Sequence, residues 1–220
     1  MIRGALWVAA WPALMFAAAG DLAWPQAWGF TAWLIGLYAL VTIWMHRNDP
    51  ALLAERRKPS RSGQSAADRR AVLGLFAGFA AWIVLMPLDA RRFRWSPPLP
   101  VAVQACGAAI LLASGIVLFR AFYDNTFLSG TVRIQSDRQQ TTITTGAYAF
   151  VRHPMYLGIV LMFFGAPLLL GSVAGLIIAA GIVGLLVARI AAEEQLLDRE
   201  LAGYTEYRQA VRYRLLPGVW

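Results

Sequence analysis

Arg152-His153-Pro154-Met155-Tyr156, a long apolar stretch, then Arg189 and Glu193-Glu194 are the residues of this chain whose types and spacing can do chemistry. The first cluster brings a guanidinium, an imidazole and a phenol. The second brings a cation and two carboxylates. Ionisable groups pressed against an apolar stretch are expensive and call for a functional explanation. Pro154 suits the first position of a helix, where its missing N–H is harmless. Arg152 and His153 then stand at the positive N-terminal end of that helix, whose free N–H groups favour an anionic partner. Arg189 and Glu193 are four residues apart, hence on one helical face. Leu196, Leu197 and Leu201, then Tyr204 and Tyr207, continue the amphipathic pattern of a helix leaving the bilayer. A pocket between the clusters offers donors for an anionic group, carboxylates for ribose hydroxyls or a cation, and aromatic faces for a base. These residues alone do not single out one ligand.

Each residue also has a plainer reading. Arg189 and Glu193 make an ordinary i,i+4 pair worth about 0.2–0.5 kcal/mol. A lone His153 at a helix start is a cap or a surface residue. Tyr148 and Tyr156 are interface anchors. Glu194 is expected to be solvated or to stand one layer behind the pocket. Asp124 and Asn125 simply end the preceding span.

Other chemistries find no support. The two histidines, His46 and His153, are far apart, and no cluster of His, Cys and carboxylates has metal-ligand spacing, so no metal site is expected. The single cysteine, Cys106, lies in an apolar run and cannot form an intramolecular disulfide. Phosphate-binding loops, dinucleotide fingerprints and serine hydrolase elbows are absent.

The elements that must position the clusters are membrane helices. The chain has 220 residues, 59% hydrophobic and only 15% charged, more apolar surface than a soluble domain of this size can hide. Several charge-free windows have the ~17–20 residues needed to cross a bilayer. The pattern predicts an all-α polytopic protein with six spans near 5–20, 27–45, 71–88, 101–121, 155–170 and 173–190. The last two form one apolar stretch that as a single helix would be ~55 Å long. Pro167 and Gly171-Ser172 offer a turn, so a helical hairpin is expected. Residues 1–120 read as a four-span region and 121–220 as a core holding the pocket. Arg3, an apolar run and Ala17-Ala18-Ala19 also imitate a secretory signal peptide, but a retained first span keeps the topology consistent.

The basic residues orient the spans. Segment 46–70 holds seven of the 20 Lys and Arg, 89–100 holds three, 120–153 holds four, and the chain from 189 holds five. Six spans with both termini cytoplasmic put most positive charge inside, with Arg91, Arg92 and Arg94 as outer exceptions. Both polar clusters then face the cytoplasm. The net charge of +8 is spread over loops bordering spans. It fits anionic membrane lipids and not nucleic acid. Trp24, Trp28, Trp44 and Trp95 sit at span ends as interfacial anchors. The Arg-rich, Lys-poor composition points to a GC-rich bacterial source, and a bacterial inner membrane is the expected location. The polar stretch Lys58–Ser65 reads as flexible.

Asn125–Arg138 (NTFLSGTVRIQSDR), Thr144-Thr145-Gly146-Ala147-Tyr148, Arg152–Gly158, Glu193-Glu194, Tyr204 and Tyr207 together resemble the isoprenylcysteine carboxyl methyltransferase family, which is related to the phospholipid N-methyltransferases. The resemblance covers about residues 120–217, with a weaker echo at Asn48–Leu53. It implies an S-adenosylmethionine-dependent methyltransferase. Carried over residue by residue, the cofactor is held by Gln140, Thr141, Thr142 and Ile143, with Gln135, by Tyr148 after the turn, by His153, Pro154, Met155 and Tyr156, and by Glu193. Arg189 is implied at the substrate end, as the catalytic position. Gln140 stands where many members have His, and Ala147 where many have Pro; Gln140 still donates and accepts hydrogen bonds. The implied acceptor is a lipophilic small molecule, a lipid or a lipidated molecule. Two other classes stay open: a membrane reductase using a reduced nicotinamide dinucleotide (NADPH), and a non-catalytic membrane protein of the same fold.

Overall fold

Proline, glycine and a few short polar side chains set where each helix begins and ends. The structure is a computed structural model that describes residues 2–58 and 66–220. The polar stretch read as flexible lies, beyond Lys58, outside the described residues. Helix α1 spans Ile2–Ala19 and stops at Gly20, which takes φ 67°. Helix α2 spans Pro25–Asn48 with proline at its first position. Asp49 then starts the short α3, Pro50–Arg57, its carboxylate accepting from the Leu52 N–H at 2.9 Å. Helix α4 (Ala66–Pro87) runs into a π-helical turn, Leu88–Arg92. Helix α5 spans Val101–Asp124. Two 3-10 turns, Ser136–Arg138 and Gly146–Ala149, interrupt an irregular segment before α6, Pro154–Leu170. Helix α7 spans Val173–Glu200 and α8 spans Tyr204–Ala210. The fold is all-α, with no strand among the described residues.

Among the described residues, four helical stretches are long and apolar enough to cross a membrane: Pro25–Asn48, Asp68–Arg92, Val101–Asp124 and Val173–Glu200. The other two expected spans fall on shorter apolar helices, Ala10–Ala19 within α1, and α6. Helices run past the expected ends because hydropathy marks the bilayer and not the helix. Helix α7, with 28 residues, is ~42 Å long, well beyond a ~30 Å hydrocarbon core, so its polar last turns continue out of it. The expected hairpin forms where Gly171 adopts φ 81° and Ser172 caps α7 by accepting from the Gly175 N–H at 2.9 Å. The amphipathic pattern through Tyr207 is not one helix. Gly203, at φ 79°, breaks it and turns α8 back.

Helices α5 and α6 approach closely because glycine removes side chains at their contact. A Cβ on Gly158 would lie 2.6 Å from the Leu118 side chain. One on Gly107 would run into Leu168, Leu169 and the carbonyl of Gly165. Ser114, fully buried, donates its hydroxyl to the Gly158 carbonyl at 2.7 Å. Small residues with an interhelical hydrogen bond are how membrane helices associate when hydrophobic driving force is weak. The buried centre is aromatic: Trp82 packs edge-on against Phe163 (4.9 Å) and Phe30 (5.9 Å).

The polar contacts gather at two ends. At one, Asp89 in the π-helical turn accepts from the Ser172 hydroxyl at 2.6 Å, from the Ser96 hydroxyl and N–H, and from the Ala174 N–H. Arg91 pairs there with Asp21. The other end holds α3, the start of α4, the 125–153 segment and the C-terminal residues.

The close α5–α6 contact is testable. Gly158→Val should lower stability by about 1–3 kcal/mol through overpacking. Gly36→Ala in α2, with open space around it, should not. Thermal unfolding of both variants in one detergent checks this.

Candidate functional site

The site is built where α6 begins. His153 is the residue ahead of α6 and Pro154 its first helical residue. The loop before it is strapped to the C-terminal tail: the Arg152 N–H donates to the Tyr213 carbonyl at 2.9 Å and the His153 N–H to the Arg214 carbonyl at 3.0 Å. The Arg152 guanidinium also donates to the carbonyls of Val211 and Arg212, both at 2.8 Å. Glu194 closes this structure. Only 4% exposed, it accepts from Arg152 Nε at 2.6 Å and Arg214 Nε at 2.7 Å, and lies 3.1 Å from His153 Nε2. Of the two expectations for Glu194, solvated or one layer behind the pocket, the structure bears out the second. Glu194 stands behind the pocket, because three nitrogen-bearing side chains on two other segments converge on it.

In front of this hub lies a cleft of about 830 Å³, counting its open mouth. Its floor is α6 and α7. Tyr156 donates its hydroxyl to Glu193 Oε2 at 2.6 Å, across the two helices. Arg189, one turn earlier on α7, also lines the cleft, but its ion partner is Asp68 of α4 at 3.3 Å and not Glu193. Its Nη2 donates to the Gly130 carbonyl at 2.9 Å. The i,i+4 reading of Arg189 with Glu193 gives way to these longer-range partners.

The cleft's rim is the segment after α5, which is held by its own side chains. Gln135, 1% exposed, donates to the Phe127 carbonyl at 2.6 Å and accepts from Arg138 at 2.7 Å. Gln140 accepts from the Gln135 N–H at 2.8 Å. Arg133 donates twice to the buried Glu55 of α3, at 3.1 and 2.5 Å, and once to Asp137 at 3.1 Å. Burial would raise the Glu55 carboxyl, but hydrogen bonds from Lys58 and Arg133 outweigh it and hold the group below its ordinary value. Asp124 does more than end α5: it accepts from the Ala147 N–H at 2.7 Å beneath Gly146, whose φ of 63° leaves no room for a Cβ beside that carboxylate. Thr142 donates to the Ala202 carbonyl at 2.9 Å, joining the rim to the α7–α8 turn.

Of the residues singled out in the sequence, Gln140, Thr141, Thr142, Ile143, Tyr148, His153, Met155, Tyr156, Arg189 and Glu193 line the cleft together. Gln135 and Pro154 do not; one orders the rim from inside, the other starts α6. Tyr204 and Tyr207 join the lining from α8. Burial pushes the phenols of Tyr148, Tyr204 and Tyr207 above their ordinary value, so they stay protonated donors. Tyr207 uses its hydroxyl on the Tyr148 carbonyl at 2.8 Å. Among the described residues, the Tyr204 hydroxyl is buried without a hydrogen-bond partner, and that of Tyr148 has Asn125 beside it but out of bonding geometry. Buried donors of this kind are what a bound polar ligand would satisfy. Sequence reasoning passed over Asp68, Glu55, Arg133 and Arg214. Their only signal was charge bordering apolar runs, and their partners lie 20 to 121 residues away in the chain. No group of His, Cys and carboxylates among the described residues could hold a metal ion.

A carboxylate between two helices, unpaired phenols and a rim of backbone polar groups can hold a polar, ribose-bearing molecule next to an apolar wall. Residues 103–202 match the phospholipid methyltransferase family. This methyltransferase stretch takes in α5, the rim, α6 and α7, somewhat under half of the chain. It supports a membrane methyltransferase. No curated protein matches the chain.

Removing the hub should unfold the site. Glu194→Ala leaves the buried Arg152 uncompensated and should cost about 3–5 kcal/mol of stability. Glu193→Ala should cost clearly less, since its partner is a neutral phenol. Melting curves of the two variants, measured side by side, check the order.

Proposed function

We propose that this protein is an integral membrane methyltransferase that uses S-adenosylmethionine and acts on a lipophilic or membrane-associated acceptor, such as a lipid or a lipidated molecule. The observation that carries this reading is the cleft itself: Glu193 oriented by Tyr156, with Arg189 and His153 beside it, inside the stretch that matches a methyltransferase family. The residues fit the cofactor. The cleft brings a carboxylate, an imidazole and a guanidinium together, and the Tyr204 hydroxyl is a buried donor without a hydrogen-bond partner among the described residues.

S-adenosylmethionine, when bound, supplies a methyl group carried on a sulfonium. Every other task falls to this chain. Glu193, its direction fixed by the Tyr156 hydroxyl, accepts from ribose hydroxyls. His153 and the N-terminal end of α6 take an anionic carboxylate. Gln140, Thr141, Thr142 and Ile143 bind along the rim, and Tyr148 and Tyr204 offer donors and ring faces. Gln135 and Pro154 act from behind, by ordering the rim and starting α6. Arg189 orients the polar head of the acceptor. Leu128, Met155 and Leu196 form an apolar wall that keeps water away. Alignment and water exclusion supply most of the rate in such a transfer, so no covalent nucleophile is needed.

The proposed topology has six crossings, with a four-span region of residues 1–120 carrying the core 121–220. Both termini and the cleft face the cytoplasm, in a bacterial inner membrane. Two facts support it. The polar contacts of the bundle sort into two ends, and most basic residues belong to the end with the cleft.

Glu193→Gln should weaken S-adenosylmethionine binding about 10- to 150-fold, the loss of a charged acceptor worth ~1.5–3 kcal/mol. Calorimetry on the purified protein in detergent reads this, with NADPH as the competing titrant. Wild-type affinity in a folded Glu193→Gln protein removes Glu193 from the site; binding of NADPH alone makes the protein a reductase.

Topology has its own test. In a Cys106→Ala background, single cysteines at Arg57 and Gln139 should react with an impermeant thiol reagent from the cytoplasmic face, and one at Arg92 from the opposite face. Labelling of Arg57 and Arg92 positions from one face breaks the six-crossing arrangement.

A further inference from the structure

Asp68 sits in the first turn of α4, outside the stretch that matches the methyltransferase family. Its carboxylate is buried, 6% exposed, against an Arg189 side chain that is 10% exposed. Three links close a triangle there. Asp68 pairs with Arg189 at 3.3 Å, Asp68 Oδ2 accepts from the Val132 N–H at 3.3 Å, and Arg189 Nη2 donates to the Gly130 carbonyl at 2.9 Å. Gly130 and Val132 flank one residue of the cleft's rim, so the triangle ties α4, the rim and α7 together. Arg189 Nε stays buried without a hydrogen-bond partner among the described residues. A guanidinium held by two of its neighbours, with a third donor left over, is a group fixed in place for a further contact.

We propose that Asp68 is a positioning residue: it holds Arg189 and the 130–132 rim in register, so that the N-terminal helices complete a site whose other walls come from the methyltransferase stretch. The catalytic meaning of this triangle rests on the function proposed above. Its mechanical meaning does not. Asp68 touches neither cofactor nor acceptor and acts through Arg189. A buried carboxylate that shares one cation and one rim N–H couples the two, so loss of either partner should loosen both.

The test uses the full chain in detergent and two readouts. Hydrogen–deuterium exchange of the peptide 129–135 is compared in wild type, Asp68→Ala, Arg189→Ala and the double variant. Each single variant should speed exchange there about tenfold or more, and the double variant should go no further, because both break one coupled unit. Additive effects, or wild-type protection in Asp68→Ala, overturn the proposal. The second readout is modification of Arg189 by phenylglyoxal, followed at that residue by peptide mass spectrometry. Reactivity should rise in Asp68→Asn, which keeps an acceptor for Val132 but loses the charge, and should return to the wild-type level in Asp68→Glu. Equal reactivity in wild type and Asp68→Asn overturns the proposal, and this arm decides the matter if Asp68→Ala does not fold. Calorimetry with S-adenosylmethionine on the same wild-type preparation separates the two claims: absence of binding sinks the proposed function, while exchange and modification still decide whether Asp68 holds Arg189.

Discussion

A carboxylate removed from water must be matched by cations or donors, and Glu194 is matched from three directions. Arg152 and His153 come from the loop before α6, Arg214 from the tail. These contacts fix the start of α6 against α7 and hold the last residues over both. The tail then locks itself: the Arg214 guanidinium lies 4.9 Å above the Trp220 ring, and the Trp220 carbonyl accepts from the backbone of Arg214 and Leu215. Breaking one partner of such a buried set is far more costly than its net contribution to stability, which makes the hub a specifier of geometry more than a source of free energy.

The cleft depends on this hub from the other side. Glu193 and Glu194 are adjacent, so their side chains leave α7 in different directions. One meets the cations behind, the other meets Tyr156 and the cleft in front. Anchoring Glu194 therefore aims Glu193. Farther up α7, Arg189 is fixed in a similar way by Asp68 and Gly130. The helix presents a cation and a carboxylate on one face, each already oriented before any ligand arrives. Such preorganisation is what a site for aligned group transfer requires.

The bundle makes this precision tolerable at a membrane boundary. Glycine at 107, 158 and 165 lets α5 and α6 lie almost backbone to backbone, and α5 ends directly beneath the rim. Asp124 at that end pins the turn that carries Tyr148. On the opposite flank, Glu55 of α3 holds Arg133 and hence the middle of the rim. An irregular segment between α5 and α6 is thus clamped by elements on both sides, which is how a loop can serve as a wall.

The sequence by itself determined the class and named most of the residues that meet at the cleft. Continuous apolar windows can only be helices crossing or bordering a bilayer, because backbone groups there must bond within their own segment. Gly171-Ser172 and Pro154 fixed the hairpin and the start of α6, since left-handed φ and a missing N–H act locally. Arg189 and Glu193 shared a face because 3.6-residue periodicity is also local. Tertiary structure decided the rest. Whether Glu194 was solvated or stood behind the pocket stayed open because nothing near it in sequence is a partner; Arg152 and Arg214 reach it only in the folded chain. The plainer reading of Arg189 paired it with Glu193, but the fold places Asp68 of α4 against it. Gln135 looked like a ligand-binding amide and became an internal brace, as the loop curled around it. The break at Gly203 hid inside an amphipathic pattern that α7 and α8 share. In each case the deciding contact joins residues distant in the chain, and hydropathy and periodicity carry no record of such contacts.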